Sequence, residues 1–228
     1  MRILVTGGTG VVGTRTLDRL IANGHTVRLV SRNANEDARQ WKTNVEAWPA
    51  NVADATGLKG AADDCDLVLH IAGIVAESPP KLTYTTVNVD GTRNIIREAE
   101  RARVGRFIYI SSLGADTGKS DYHRSKREGE EIAKKFDGGW IILRLANVFG
   151  PGDEVLSLVL NMMRTSPAIP MIDVGADRFQ PIWVDDAAKA IAAAVERPDL
   201  HGKVLEVAGA DVTSMGELLD KMEKITGR

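Results

Sequence analysis

The sequence has one cysteine in 228 residues, no excess of either charge, few aromatic side chains and no long apolar run, and each shortage removes a class of function. Cys65 cannot form an internal disulfide. Its setting, Asp63-Asp64-Cys65-Asp66-Leu67-Val68-Leu69-His70, reads as a small buried thiol beside a strand and fits a reducing, cytoplasmic location. Lys and Arg number 29 against 31 Asp and Glu, with the signs interspersed, so no basic face is expected to neutralise a run of phosphates. Nucleic acid is therefore not an expected partner. Aromatic residues make up 5% of the chain, and Trp41, Trp48, Trp140 and Trp183 read as core and lobe packing rather than a base-stacking platform. The opening strand before the first glycine is far shorter than a signal-peptide core or the ~20 residues that span a bilayer, and no later run is long enough. His25, His70 and His201 lack ligand-like spacing, so no metal site is expected.

What is present is the composition of an ordinary globular domain, with 43% hydrophobic residues, 26% charged residues and 22 glycines. Short β-branched runs alternate with longer amphipathic stretches. That alternation predicts an α/β fold, a Rossmann-type doubly wound parallel sheet with a small C-terminal lobe. Strands are expected over Arg2–Thr6, Thr26–Ser31, Val45–Trp48, Asp66–Ile71, Arg106–Ser111 and Trp140–Leu145. The first helix is expected over Val11–Asn23, with Gly24 as its stop signal. After Gly150-Pro151-Gly152 the rhythm changes to a helical stretch near Glu154–Arg164, a proline-bounded segment Pro167–Pro170 and a short strand Phe179–Val184. Helices follow over Asp185–Glu196 and Ser214–Thr226. Residues 1–150 thus read as a dinucleotide-binding domain and 151–228 as a substrate-side lobe intertwined with it.

The first strand runs straight into Thr6-Gly7-Gly8-Thr9-Gly10-Val11-Val12-Gly13, and a helix pattern opens at once. Gly7 permits a tight turn, Gly10 lets backbone approach a pyrophosphate, and Gly13 lets helix and strand pack closely. The N–H groups at Thr9, Val11 and Val12 face the anion. At the end of the second strand, a site for NAD(H) carries an acid that holds the ribose hydroxyls, whereas one for NADP(H) replaces it with a cation for the 2′-phosphate. Here Ser31 and Arg32 stand there, which favours NADP(H), since a guanidinium pairs with a phosphate bidentately. NAD(H) remains the alternative, with Glu36 or Asp37 as the acid and Arg32 a solvated loop residue.

The stretch Ser120–Lys135 reads as a helix that places Tyr122 and Lys126, four residues apart, on one face. Ser112 lies at the end of the preceding strand, on the side where ligands of such sheets bind. An ammonium ~5 Å from the phenol would lower its pKa from ~10 by about two units and suit Tyr122 to proton transfer, with Ser112 orienting a substrate oxygen. Lys126 would also hold the nicotinamide ribose. Arg124 and Arg127 on the same helix read as a solvated face.

Six motifs, in order, carry a resemblance to the extended, epimerase-like branch of the short-chain dehydrogenase/reductase superfamily. They are the glycine turn, His70-Ile71-Ala72-Gly73, Asn88-Val89-Asp90-Gly91-Thr92, Ile110-Ser111-Ser112, Tyr122-x-x-x-Lys126 and Leu143-Arg144-Leu145-Ala146-Asn147-Val148-Phe149-Gly150-Pro151. The resemblance implies that Ser112, Tyr122 and Lys126 are catalytic and that Asn88 supports the proton relay. It also implies that Ala72, Gly73, Ala146 and Val148 line the cofactor, and that Asn51-Val52 stands near the adenine where the family has an Asp and an aliphatic residue. Only nine residues separate Ser112 from Tyr122, and the C-terminal lobe is abbreviated. Both traits thin out the substrate side, and the run Ser111-Ser112-Leu113-Gly114-Ala115-Asp116 followed closely by Tyr122-x-x-x-Lys126, with the later Arg178-Phe179-Gln180-Pro181-Ile182-Trp183-Val184-Asp185-Asp186, resembles an atypical subgroup that includes bacterial relatives of the NADPH-binding accessory subunit of complex I. The implied function is an NADP(H)-dependent oxidoreductase or epimerase acting on a small carbonyl, alcohol or sugar-like substrate, the alternative being a non-catalytic NADPH-binding sensor or assembly module. Family members often dimerise through the helices carrying Asn88 and Tyr122, which extends the expectation of a homodimer to this chain.

Overall fold

A computed structural model describes residues 1–153, 157, 159–162 and 178–227. The expected segment Pro167–Pro170 and part of the expected helix Glu154–Arg164 lie outside the described residues.

Six strands form where β-branched runs occur: β1 (Arg2–Thr6), β2 (Thr26–Ser31), β3 (Val45–Pro49), β4 (Leu67–His70), β5 (Arg106–Ser112) and β6 (Gly139–Leu145). Short strands β7 (Val148–Phe149), β8 (Arg178–Phe179) and β9 (Ile182–Trp183) follow, then β10 (Lys203–Val207) and β11 (Thr213–Ser214). The main sheet is parallel, in the order β10-β6-β5-β4-β1-β2-β3. The chain runs outward from β1 to β3 and then returns to β4 on the other side of β1. This reversal opens a crevice beyond the carboxyl ends of β1 and β4, where ligands bind in open α/β sheets.

The seventh strand is a departure from the sequence expectation, which counted six and left everything past residue 150 outside the sheet. Lys203–Val207 pairs with β6 from Lys203↔Ile141 to Val207↔Leu145. Its pattern is weak because it is an edge strand, with Lys203 and Glu206 facing solvent. The expected strand Phe179–Val184 is instead the two short strands β8 and β9, because Pro181 between them has no N–H to donate to a ladder.

The helices among the described residues include α1 (Val11–Ala22), the single turns α2 (Ala34–Asp37) and α3 (Ala55–Leu58), α4 (Gly91–Arg101), α5 (Asp121–Ala133), α6 (Val184–Val195) and α7 (Met215–Thr226). A π-helical turn, Thr85–Asp90, leads into α4. Alternate residues of each buried strand face opposite layers. Ile3, Val5, Leu29, Leu69, Ile108 and Leu143 pack against Leu17 and Leu20 of α1 and Ile191 and Val195 of α6. Leu4, Val68, Phe107, Tyr109 and Ile142 pack against Ile95 and Ala99 of α4 and Ala133 of α5. Two cores thus clamp the sheet and fix the strand ends from which the site is built. Cys65 lies in the second core, where burial raises its thiol to about 11, so it is an inert packing residue.

Candidate active site

The glycine turn follows from three close approaches. Gly7 has φ +71, and a Cβ there would lie 2.5 Å from the Ala72 nitrogen. A Cβ on Gly13 would fall 2.1 Å from the Gly7 carbonyl oxygen, so only glycine lets α1 start this close to β1. Gly10 differs: its φ of -76 and ψ of 173 suit any residue, and its Cβ would meet only the Gly7 oxygen, at 3.6 Å. Glycine there leaves space on the open side of the turn. Gly10 caps α1 without a side-chain bond, and no acid stands in the first turn, so the helix presents free N–H groups with a positive dipole end. These features fit a dinucleotide diphosphate held by the N–H groups of Val11, Val12 and Gly13, since the Gly10 N–H donates to the Gly7 carbonyl at 3.2 Å. Thr9 is exposed at the tip of the turn.

At the end of β2, Ser31 donates its hydroxyl hydrogen bond to Asp37. An acid therefore does stand beside the second strand, delivered by α2 rather than by the strand itself. Arg32 is exposed and makes no hydrogen bond or ion pair among the described residues. Asn51 spends its side-chain oxygen on the Ala53 N–H, 3.1 Å away, and Val52 is buried against Gly91. Ala72 and Gly73 lie two and three residues past the end of β4, with Ala72 against Gly7. Ala146 is buried, donating its N–H to Val207, and Val148 pairs with Ile182.

Ser120 caps α5 by accepting the His123 N–H, and Asp121 in the first turn suits the helix dipole. Gly129 allows the helix to settle onto β5, since a Cβ there would lie 2.2 Å from the Tyr109 hydroxyl. This seating buries Lys126, whose Nζ donates to the Ile110 carbonyl at 2.7 Å and lies 4.6 Å from the centre of the Tyr109 ring. Desolvation lowers the ammonium to about 8, and nearby Glu130 only partly offsets it. Tyr122, half-buried one turn earlier, stands near Ser112, whose hydroxyl donates to the Leu113 carbonyl at 3.3 Å. Ser112, Tyr122, Lys126 and Asn88 therefore gather beyond the end of β5, with Asn88 and Lys126 both reaching Gly73.

Their electrostatics differ from the sequence expectation that Lys126 lowers the Tyr122 pKa. Burial holds the phenol above its ordinary range, Ser112 pulls it down, and Tyr84 pushes it further up. The Lys126 ammonium donates to the Ile110 carbonyl, and it is not among the groups that shift the phenol.

Several neighbours carried no recognisable signal in the sequence. The Tyr84 ring lies 6.0 Å from that of Tyr122, with its hydroxyl donated to the Val75 carbonyl, and His123 packs edge-on at 5.4 Å. Arg144 joins Glu130 through two bonds of 2.9 and 2.8 Å and reaches Asp116 at 2.6 Å, pinning the loop after Ser112 to α5. Arg124 and Arg127 are exposed, as a solvated face requires.

Among curated proteins, the chain is similar to the ceramide reductase of Caulobacter vibrioides, 29% identical over 199 residues, 87% of this chain and 62% of that protein. It is also similar to the mitochondrial NADH dehydrogenase [ubiquinone] 1 alpha subcomplex subunit 9 of Dictyostelium discoideum, 26% identical over 95% of this chain and 61% of the relative. The chain thus spans about three-fifths of the length of each. Among solved structures, UDP-glucuronic acid 4-epimerase from Bacillus cereus, in complex with UDP-glucuronic acid and NAD, has the same fold. Its TM-score is 0.87 at 21% identity, covering 100% of this chain and 84% of that one. The model of the NAD dependent epimerase/dehydratase family matches residues 3–208, and the chain belongs to that family.

Proposed function

We propose that the protein is an NADP(H)-dependent reductase or epimerase that moves hydride to a carbonyl carbon, or from the corresponding alcohol carbon, of a small or sugar-like substrate. The observation that carries this reading is the phenol of Tyr122, kept protonated by burial and standing near Ser112, across the crevice from an uncapped helix N-terminus at the glycine turn. A bound reduced nicotinamide supplies the hydride. Ser112 and Tyr122 hold the carbonyl oxygen between two O–H donors. As the carbon gains hydride, the Tyr122 O–H bond breaks and its proton passes to the oxygen, giving the alcohol. The Ser112 hydroxyl then bonds the phenolate left behind. Lys126 keeps donors free beyond its bond to Ile110 and stands beside Gly73, where it would hold the nicotinamide ribose. Arg32, unpaired among the described residues at the end of β2, would hold a 2′-phosphate, while Asp37 would favour an unphosphorylated ribose. The free guanidinium leads us to NADP(H). A homodimer through α4 and α5 and a cytoplasmic location belong to the same reading.

The likeness to a ceramide reductase supports the reductase reading. The likeness to the complex I subunit supports a second reading, a dinucleotide-binding module without turnover, and the bond of Lys126 to the Ile110 carbonyl favours it too. A panel of ketones and sugar nucleotides, followed at the nicotinamide absorbance band, tests the choice. Turnover that falls by about 10²–10⁴-fold in Tyr122→Phe supports the enzyme. Tight NADPH binding with no turnover of any substrate supports the module.

A further inference from the structure

His70 is fully buried at the end of β4, and the proposed chemistry does not use it. It stands in a chain of hydrogen bonds whose directions follow from counting protons. The Thr92 hydroxyl donates to the Asn88 carbonyl at 2.6 Å, and a carbonyl can only accept. Thr92 has no second proton, so toward His70 Nε2, 3.0 Å away, it acts as acceptor, and Nε2 carries hydrogen. On the other side, the Thr6 oxygen accepts the Ala72 N–H at 3.3 Å and lies 2.6 Å from His70 Nδ1. Among the described residues, the Thr6 proton has a partner only if Nδ1 is bare. Both counts give the same neutral tautomer.

The chain continues at both ends. Thr6 is the residue before the glycine turn, and Ala72 abuts Gly7. Beyond Thr92, the Asn88 side chain donates to Ser125 at 2.9 Å and exchanges bonds with both backbone groups of Ile74. Ser125 in turn donates to the Tyr122 carbonyl at 2.7 Å. Thr6, His70, Thr92, Asn88 and Ser125 are all buried, so water does not compete for these bonds.

We propose that His70 is a positioning residue: fixed as the Nε2–H tautomer, it ties the glycine turn to the helical turn that presents Tyr122, so that the two halves of the site are held as one unit. The roles given to those two ends rest on the proposed function, whereas the tautomer and the connection do not. Burial keeps the ring neutral, with its pKa lowered to about 3, and the nearby Lys126 charge adds to this.

Nitrogen NMR of the full chain with labelled histidine tests the inference directly. His70 is expected to show a bare Nδ1 and a protonated Nε2, unchanged from about pH 5 to about 8, across the range where an ordinary histidine titrates. An Nδ1–H tautomer or a charged ring would overturn the proposal. Thr92→Val removes the acceptor; it is expected to mix the tautomers and to shift amide signals at both 7–13 and 122–126, while Thr92→Ser restores the wild-type spectrum. Shifts confined to the neighbourhood of residue 92 would refute the connection, whether or not any dinucleotide binds. Where NADPH does bind, its Kd is expected to rise about tenfold in Thr92→Val, within the usual range of coupling through buried networks. An unchanged Kd would refute the tie to the glycine turn.

Discussion

Two glycines three residues apart in one turn are expected to respond to alanine in opposite ways. At Gly10 the backbone is extended and the added Cβ meets only the Gly7 oxygen at 3.6 Å, ordinary van der Waals contact. Folding then gains about 0.4–1 kcal/mol from a stiffer unfolded chain. It loses a similar amount because alanine is a poorer helix cap than glycine. The two cancel to within about 1 kcal/mol, which for a chain of this size keeps Tm within about 4 °C of wild type. The same methyl, however, occupies the space through which a diphosphate reaches the N–H groups of α1. Two charge-assisted bonds at about 1.5–3 kcal/mol each are lost, so dinucleotide affinity falls at least about 100-fold. Gly13→Ala places its Cβ 2.1 Å from the Gly7 oxygen and 2.6 Å from the Gly8 Cα, both backbone atoms that cannot move independently. It is expected to lose several kcal/mol of stability, at or above the upper end of the ~1–3 kcal/mol typical of overpacking. Thermal melts and NADPH titration of the two variants side by side give the answer. Wild-type affinity in a folded Gly10→Ala would refute the phosphate site, and a fall in Tm matching that of Gly13→Ala would refute the steric reasoning.

Arg32→Ala is expected to weaken NADPH binding by more than about 1 kcal/mol and leave NADH nearly unchanged, while Asp37→Asn weakens NADH more than NADPH; equal losses for both dinucleotides in Arg32→Ala would remove that residue as the phosphate reader. Lys126 should leave a signature in alkaline stability. Its ammonium is at about 8 when folded against 10.5 in an ordinary lysine, so between those values the unfolded chain holds the extra proton and stability rises with pH. The rise is about 3 kcal/mol in wild type and absent from Lys126→Met, and parallel curves in chemical denaturation would contradict it. His70, at about 3 folded against 6.5, acts on the acid side: the unfolded chain takes up the proton first, so stability falls as pH drops through that window. The component amounts to about 5 kcal/mol by the low end, and a His70→Gln variant with an equally steep acid slope would show that another group carries it.

The fold was legible because buried parallel strands must be nearly continuous apolar runs, and Ile3-Leu4-Val5 or Phe107-Ile108-Tyr109-Ile110 have no other economical packing. The glycine turn was legible for a related reason, since close approach leaves no alternative to glycine at 7 and 13. What stayed hidden depends on partners distant in sequence. Lys203–Val207 gains its strand only from β6, and Asp37 reaches Ser31 only because α2 folds back over the end of β2. The spacing of Tyr122 and Lys126 fixed their shared helix face but not where the ammonium points. That is settled by the Ile110 carbonyl and the Tyr109 ring, contributed by β5.

The central claim is that a nicotinamide ring lies against the Tyr122 hydroxyl when the glycine turn holds the diphosphate. A crystal structure of the NADPH complex measures this: the account predicts the diphosphate on the first turn of α1 and the reactive ring carbon facing a cavity bounded by Ser112 and Tyr122. A ring turned away from that hydroxyl, or a first turn that admits no diphosphate, would contradict it.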